Sequence, residues 1–211
     1  MESVNPFPII HKAQYDFKFG PELKGKCLEY LGFANDKIRK EKLDTLEKDG
    51  GITTVPVSNI CPPHSWDEFE DFKLWLFKQV DEVWEHWKLN PAAQRYLSES
   101  WINLHPPGAY TAEHHHQNVT VAVAAYLEVP ENSGRLLIKN PLQIYKMGEP
   151  LNYYYYDQKM DWMPIDVKTN DVLFFPGWLT HATERNLSLD DRYIMSLNIM
   201  GNFVNDQSHR Y

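Results

Sequence analysis

The chain has 211 residues, enough for one domain with a buried core, and its 43% hydrophobic and 24% charged residues are ordinary for a globular protein. Its formal net charge of −8 disfavours binding to the phosphate backbone of a nucleic acid. The 2 cysteines lack a CxxC spacing, no signal peptide is evident, and no segment approaches the roughly 20 apolar residues of a membrane span. We therefore expect a cytoplasmic protein without nucleic-acid or membrane partners.

The first 95 residues predict a mainly helical region that supports the rest of the domain. Residues 7–19 are typical of a short edge strand, and residues 21–48 suggest two short helices separated near Gly32. A longer helix is predicted after Ser65, which has capping-box spacing to Glu68. The apolar residues of that helix recur at steps of three and four: Phe69, Phe72, Leu76, Val80, Val83 and Trp87.

Residues 96–204 have the pattern of a β-rich core. Short runs of β-branched and aromatic residues alternate with turn sequences, which is typical of a sandwich or barrel. The runs are residues 100–104, 119–129, 135–139, 165–167, 171–175 and 192–198. A long stretch, residues 140–164, interrupts them and contains four consecutive tyrosines at 153–156. These tyrosines could face a substrate or pack onto the barrel. We expect residues 1–211 to form a single domain.

Three histidines form a candidate metal site. On an extended chain, side chains two residues apart share a face, so His114 and His116 would point to one side and His115 to the other. A third ligand must come from elsewhere, and His181 follows a strand and a turn in a suitable place. Neutral imidazole binds iron, zinc, copper and nickel alike. Glu113 and His115, which share the opposite face, remain an alternative pair of ligands.

Arg192 is a candidate anion-binding residue at the start of the last predicted strand. Its guanidinium could bind a carboxylate through two parallel hydrogen bonds, or form an ion pair with a neighbouring aspartate. Ser196 and Asn198 follow at even spacing and would lie on the same face of the strand. Each could bond to a bound acid or simply pair with backbone.

Together, these segments resemble the 2-oxoglutarate/Fe(II)-dependent oxygenase superfamily, and more closely its small bacterial and phage branch. The resemblance covers about residues 98–200. It rests on Trp101-Ile-Asn103, on His114-x-His116, on Ser133-Gly134, on the Phe-Phe-Pro-Gly-Trp-Leu-Thr sequence before His181, and on Arg192-x5-Asn198. The motifs are specific in combination, whereas each alone would be weak.

The resemblance implies a double-stranded β-helix with N-terminal helices, an α+β fold. It further implies an oxidoreductase that couples the conversion of 2-oxoglutarate and O2 to succinate and CO2 with hydroxylation of a peptide side chain or small metabolite. Fe(II) would be held by His114, His116 and His181. Residues near the co-substrate would be Arg192, which binds its distal carboxylate, together with Tyr126, Asn103, Ser196 and Asn198. If a phage encodes the chain, it would act in the host cytoplasm.

Two positions depart from the superfamily pattern. His116 stands where most members have a carboxylate ligand, and Ile194 stands where a serine is usual. Two other functions therefore stay open. One is a cupin-type dioxygenase with a three-histidine iron and no 2-oxoglutarate, in which Arg192 would have no role. The other is a metal-binding barrel without enzymatic activity.

Overall fold

The computed structural model of the chain describes residues 10–41, 50–141 and 162–202, except for the side chains of residues 38–41. The two helices are α1 (Pro21–Glu41) and α2 (Glu70–His86). The strands are β1 (His11–Gln14), β2 (Ile52–Thr53), β3 (Gln94–His105), β4 (Val121–Glu128), β5 (Leu136–Lys139), β6 (Trp162–Ile165), β7 (Asp171–Pro176), β8 (His181–Thr183) and β9 (Arg192–Asn202). The run of four tyrosines lies outside the described residues.

The strands form two antiparallel sheets. The larger has the order β1-β7-β4-β9-β3-β2, and the smaller has the order β6-β5-β8. From β4 the chain crosses to β5 and β6 of the smaller sheet, returns to β7, crosses again to β8 and returns to β9, which is the winding of a double-stranded β-helix. The predicted fold class is therefore confirmed, although within the described residues the two sheets face each other and do not merge into a closed barrel. β1 confirms the edge strand predicted within residues 7–19, and β2, from the region expected to be mainly helical, forms the opposite edge of the larger sheet.

Alternation along β4 divides the interior into two apolar layers. Val121, Val123, Ala125 and Leu127 pack with the helices, whereas Ala122, Ala124 and Tyr126 face the smaller sheet. β9 alternates in the same way, with Tyr193, Met195, Leu197 and Ile199 on the helical side. The site described below therefore lies on the side of the larger sheet that faces β5, β6 and β8.

Helix α1 runs without a break, so the prediction of two helices separated at Gly32 was wrong. A glycine inside a helix costs only about 1 kcal/mol relative to alanine. The apolar face of α1 is held in the main core along its length, and this packing outweighs that cost. The buried residues of α1 are Leu23, Cys27, Tyr30, Leu31 and Ala34.

Helix α2 has the predicted buried stripe but begins later than its capping pattern suggested. The Ser65 hydroxyl donates to the carbonyl of Pro62 at 2.7 Å, and the Glu68 carboxylate binds Lys26 at 2.7 Å. Short 3-10 turns, Pro63–Ser65 and Asp67–Phe69, lead into α2. The predicted capping box is thus absent, because both of its side chains have other partners.

Neither helix in the described part of the chain is long and apolar enough to cross a membrane.

Candidate metal centre

Backbone pairing brings the three histidines together. His114 forms an isolated bridge with His181, in which each backbone N–H donates to the other's carbonyl at 3.0 and 2.9 Å. Two residues further on, the N–H of His116 donates to the carbonyl of Gly177 at 2.8 Å. These backbone hydrogen bonds hold the segment from His114 to His116 beside the start of β8 and the turn that precedes it. One ring nitrogen from each of the three histidines lies within 4.8 Å of the other two.

All three imidazole rings are held in the same tautomer. Each Nδ1–H faces an oxygen acceptor, namely the Ala112 carbonyl for His114 at 2.8 Å, the Leu179 carbonyl for His181 at 2.8 Å, and Asn198 Oδ1 for His116 at 2.6 Å. Since Nδ1 carries the proton in each ring, Nε2 is the nitrogen suited to bind a metal. Hydrogen bonds of this kind orient metal-binding histidines in proteins.

Burial favours the neutral form of two of these rings, the form that metal binding requires. It lowers the pKa of His181 to about 3, and His114 adds a smaller effect in the same direction. Burial also lowers the pKa of His116, partly opposed by its hydrogen bond to Asn198. A neutral imidazole binds a metal without first losing a proton, so the three rings form a donor set that fits Fe(II) as well as other divalent transition metals.

The alternative ligand pair is not brought to this position. Glu113 forms an ion pair with Lys139, and within the part of the chain that the structure describes, the cluster of potential metal ligands contains neither Glu113 nor His115. His114 and His116 therefore point to the same side of the chain, as their spacing predicted.

A cavity of about 740 Å³ extends from the three histidines between the sheets. Its floor is the face of β3 and β9 on which Trp101 lies opposite Ser196 and Asn103 lies opposite Ile194. The Asn103 side chain donates to Ser196 Oγ at 3.0 Å. The volume falls in the range of about 300–1,000 Å³ typical of small-molecule sites.

Arg192 lies fully buried beyond the far end of this cavity, opposite His105 in the pairing of β3 with β9. Its guanidinium donates to neutral acceptors: the carbonyls of Ser133, Gly134 and Glu184, Thr183 Oγ1, and His105 Nδ1. Among the described residues it has no ion pair, so the alternative contact with a neighbouring aspartate is not formed. Its positive charge is therefore held in the interior without a direct ion pair, although the nearby Glu184 carboxylate interacts favourably with it.

His105 acts as a neutral acceptor between Arg192 and the cavity. Burial, with a smaller effect of the Arg192 charge, lowers the pKa of His105 to about 3. Its Nδ1 accepts from Arg192 at 2.9 Å, and its Nε2–H donates to Thr111 Oγ1 at 2.8 Å. His105, Thr111 and Thr183 were not among the predicted site residues. The position of His105 could have been inferred from Trp101 and Asn103, because alternate residues of one strand share a face.

Tyr126 places an unpaired polar atom at the same end of the cavity. Its side chain lines the cavity and is fully buried, yet its hydroxyl has no hydrogen-bond partner among the described residues. Burial raises the pKa of this hydroxyl, and the nearby Arg192 charge opposes the effect. A buried O–H without an acceptor is unfavourable, so this end of the cavity fits a ligand that brings an acceptor oxygen, such as a carboxylate.

Comparison with known families and structures agrees with these features. Residues 99–198 match the family model described as a 2OG-Fe(II) oxygenase. Comparison of the sequence with curated proteins gives no significant match.

Solved structures share the fold at low sequence identity. A prolyl-4-hydroxylase from Pseudomonas putida has a TM-score of 0.56 and 12% identity, over 91% of this chain and 92% of its own. A prolyl hydroxylase from Trichoplax adhaerens, solved with a peptide fragment of hypoxia inducible factor, has a TM-score of 0.53 and 14% identity, over 96% and 88%.

A third structure is that of an oxidoreductase of the 2OG-Fe(II) oxygenase family from Burkholderia pseudomallei, with a TM-score of 0.42 and 10% identity. The match covers 56% of this chain and 50% of that protein. The family match covers the strands that carry Trp101, His114, His116, His181 and Arg192, and the fold around it is that of the two hydroxylases. Residues 99–198 therefore match the 2-oxoglutarate/Fe(II)-dependent oxygenases, a family of oxidoreductases that use Fe(II) and 2-oxoglutarate.

Proposed function

We propose that the chain is a dioxygenase in which His114, His116 and His181 bind Fe(II) through Nε2. With Fe(II) and 2-oxoglutarate bound, such a site supplies O2-dependent hydroxylation coupled to formation of succinate and CO2. The substrate would be a peptide side chain or a small metabolite. The observation that carries the proposal is the set of three converging imidazoles, each with Nδ1 anchored, at the wall of a cavity.

2-Oxoglutarate would lie between the histidines and Tyr126. The Tyr126 hydroxyl would donate to the distal carboxylate of the co-substrate, which would supply the acceptor that this buried group lacks. Arg192, whose guanidinium is fully buried, would stabilise the same carboxylate through the field that it exerts in a desolvated interior. Asn103 and Ser196 would line the cavity between the histidines and Tyr126.

Tyr126 distinguishes this function from a cupin-type reaction more clearly than Arg192 does. Arg192 already has a structural role, because it ties β9 to the carbonyls of Ser133 and Gly134. Its presence is therefore compatible with a three-histidine iron site that uses no 2-oxoglutarate. An unpaired tyrosine hydroxyl in the cavity, by contrast, has no structural role and favours a carboxylate ligand.

The test is anaerobic reconstitution with Fe(II) followed by 2-oxoglutarate. We expect a visible charge-transfer absorption in the native chain, its loss in His181→Ala and His116→Ala, and its retention in the matched control His115→Ala. No absorption in the native chain would contradict 2-oxoglutarate binding at the metal. Loss in His115→Ala together with retention in His116→Ala would contradict the proposed ligands. Oxygen-dependent release of succinate without added substrate would separate an enzyme from a metal-binding barrel.

A further inference from the structure

A bulge in β3 turns an acidic residue toward the metal site. Leu97 pairs with Ile199 and Glu99 pairs with Asn198, so Ser98 and Glu99 together oppose a single residue of β9. Such a bulge shifts the alternation of a strand by one residue and re-aims the side chain that follows it. Leu97 accordingly packs on the helical side of the sheet, whereas Glu99 lines the cavity.

The buried amide of Asn198 connects Glu99 to His116. Asn198 Oδ1 accepts from the Nδ1–H of His116 at 2.6 Å, and Asn198 Nδ2 donates to Glu99 Oε2 at 3.2 Å. A carboxylate can only accept hydrogen bonds, so Glu99 favours the amide orientation in which Nδ2 points toward it. In that orientation Oδ1 must face His116.

The orientation of this amide decides the tautomer of His116. If Asn198 were reversed, Nδ2 would donate to Nδ1 and the ring proton would move to Nε2, the nitrogen required for the metal. That arrangement would also place Oδ1 against the Glu99 carboxylate, which is unfavourable. The tautomers of the other two histidines do not depend on a side-chain amide that can reverse, since His114 and His181 donate to backbone carbonyls.

We infer that Glu99 is a positioning residue, which acts through Asn198 to hold His116 in its metal-binding tautomer and to give the three neutral ligands a nearby negative charge. The inference rests on the proposed function, because it takes His116 as a ligand. It also moves Asn198 from the predicted co-substrate contacts to the support of the metal site. Glu99 itself is exposed at the cavity wall, so it can be replaced without disturbing the core.

A second acidic residue of the same cavity provides a matched control. Glu113 also lines the cavity, but its carboxylate pairs with Lys139, whereas the Glu99 carboxylate accepts from Asn198. Glu113→Gln thus removes the same formal charge as Glu99→Gln while leaving the Asn198 amide unchanged.

The first measurement is anaerobic titration of each protein with Fe(II) alone, in competition with a chromophoric chelator. We expect Glu99→Gln to weaken Fe(II) binding about tenfold and Asn198→Ala about 10- to 100-fold, the usual range for groups that orient a metal ligand. Glu113→Gln should stay within about twofold of the native chain. The double variant Glu99→Gln/Asn198→Asp, which places a carboxylate directly against Nδ1–H, should recover most of the affinity.

The second measurement needs no metal. Nitrogen NMR of the metal-free protein reports which nitrogen of His116 carries the proton, and we expect Nδ1 in the native chain but a mixture in Glu99→Gln. Unchanged tautomer and affinity in Glu99→Gln would overturn the inference, as would an equal loss of affinity in Glu113→Gln. In both cases the proposed function would stand. A native chain that binds no Fe(II), or binds it as well after His181→Ala, would overturn the proposed function and this inference with it.

Discussion

Replacing Tyr126 by phenylalanine should have opposite effects on the stability of the protein and on its affinity for 2-oxoglutarate. The change removes one hydroxyl oxygen and leaves the ring in place between Ala124 and Ile194, where it packs in the smaller apolar layer. In the protein without ligand, this hydroxyl is buried and has no partner among the described residues. In the complex we expect it to donate to a carboxylate.

Both effects can be given a magnitude. A buried polar group without a hydrogen bond costs about 1–3 kcal/mol, so Tyr126→Phe should raise the free energy of unfolding by about 1 kcal/mol or more. For a chain of this size, that corresponds to an increase of about 2–4 °C in Tm per kcal/mol. A hydrogen bond to a charged acceptor contributes about 1.5–3 kcal/mol, and its loss should weaken 2-oxoglutarate binding about 10- to 100-fold.

The assay pairs thermal unfolding without ligand and an anaerobic titration of the Fe(II)-loaded protein with 2-oxoglutarate. Tyr193→Phe is the control, because Tyr193 is also fully buried in the larger sheet but lies on its helical side. The control should leave the 2-oxoglutarate affinity unchanged. A lower Tm for Tyr126→Phe, combined with native affinity for 2-oxoglutarate, would refute the role that we assign to this hydroxyl.

Two further predictions concern the group of contacts around Arg192. Arg192→Lys removes the planar donor group and leaves buried carbonyls without partners, and we expect it to lower the free energy of unfolding by about 3 kcal/mol in a denaturant titration. Between pH 6.5 and 3 only the unfolded chain protonates His105, whose folded pKa is about 3, so stability should fall as the pH drops below 6.5. This contribution is about 2 kcal/mol by pH 5 and should be absent in His105→Gln, compared by denaturant titration at both pH values.

The cluster of three histidines was largely predictable because its members follow simple geometric rules. Residues two apart on an extended segment share a face, which selected His114 and His116 over His115. The pairing of His114 with His181 then required only that β8 begin beside that segment. β8 was expected only as a strand that restarts after the Pro176-Gly177 turn, since a strand of three residues, His181–Thr183, is too short to show alternation.

The supporting contacts were not predictable for two physical reasons. Alternation along β3 is interrupted at Ser98, and a bulge of one residue leaves no distinct signature in the sequence, so Glu99 was not expected in the cavity. The carbonyl acceptors of Arg192, such as Gly134, belong to the backbone, which is the same for every residue type. The sequence therefore indicated an anion-binding arginine without indicating how firmly the fold already holds it.

His116→Asp offers a further test of the link between the metal ligands and Glu99, because it restores the carboxylate usual in the superfamily. An aspartate oxygen lies as far along its side chain as histidine Nδ1, so it would face Asn198 Oδ1. Both oxygens are hydrogen-bond acceptors, so no bond would form between them. Asn198 would have to reverse in order to donate through Nδ2. The reversal would turn Oδ1 toward the Glu99 carboxylate, which again cannot donate.

The effect of Glu99→Gln on Fe(II) affinity should therefore have opposite signs in the native protein and in the His116→Asp variant. With His116 it removes the group that orients the amide and weakens Fe(II) binding about tenfold. With His116→Asp it supplies an amide that can donate to the reversed Asn198, and Fe(II) binding should become tighter. The four dissociation constants, measured anaerobically, form a double-mutant cycle whose interaction free energy isolates this coupling. Equal effects of Glu99→Gln in both backgrounds would show that Glu99 acts on the metal through its charge alone and that the amide orientation has no role.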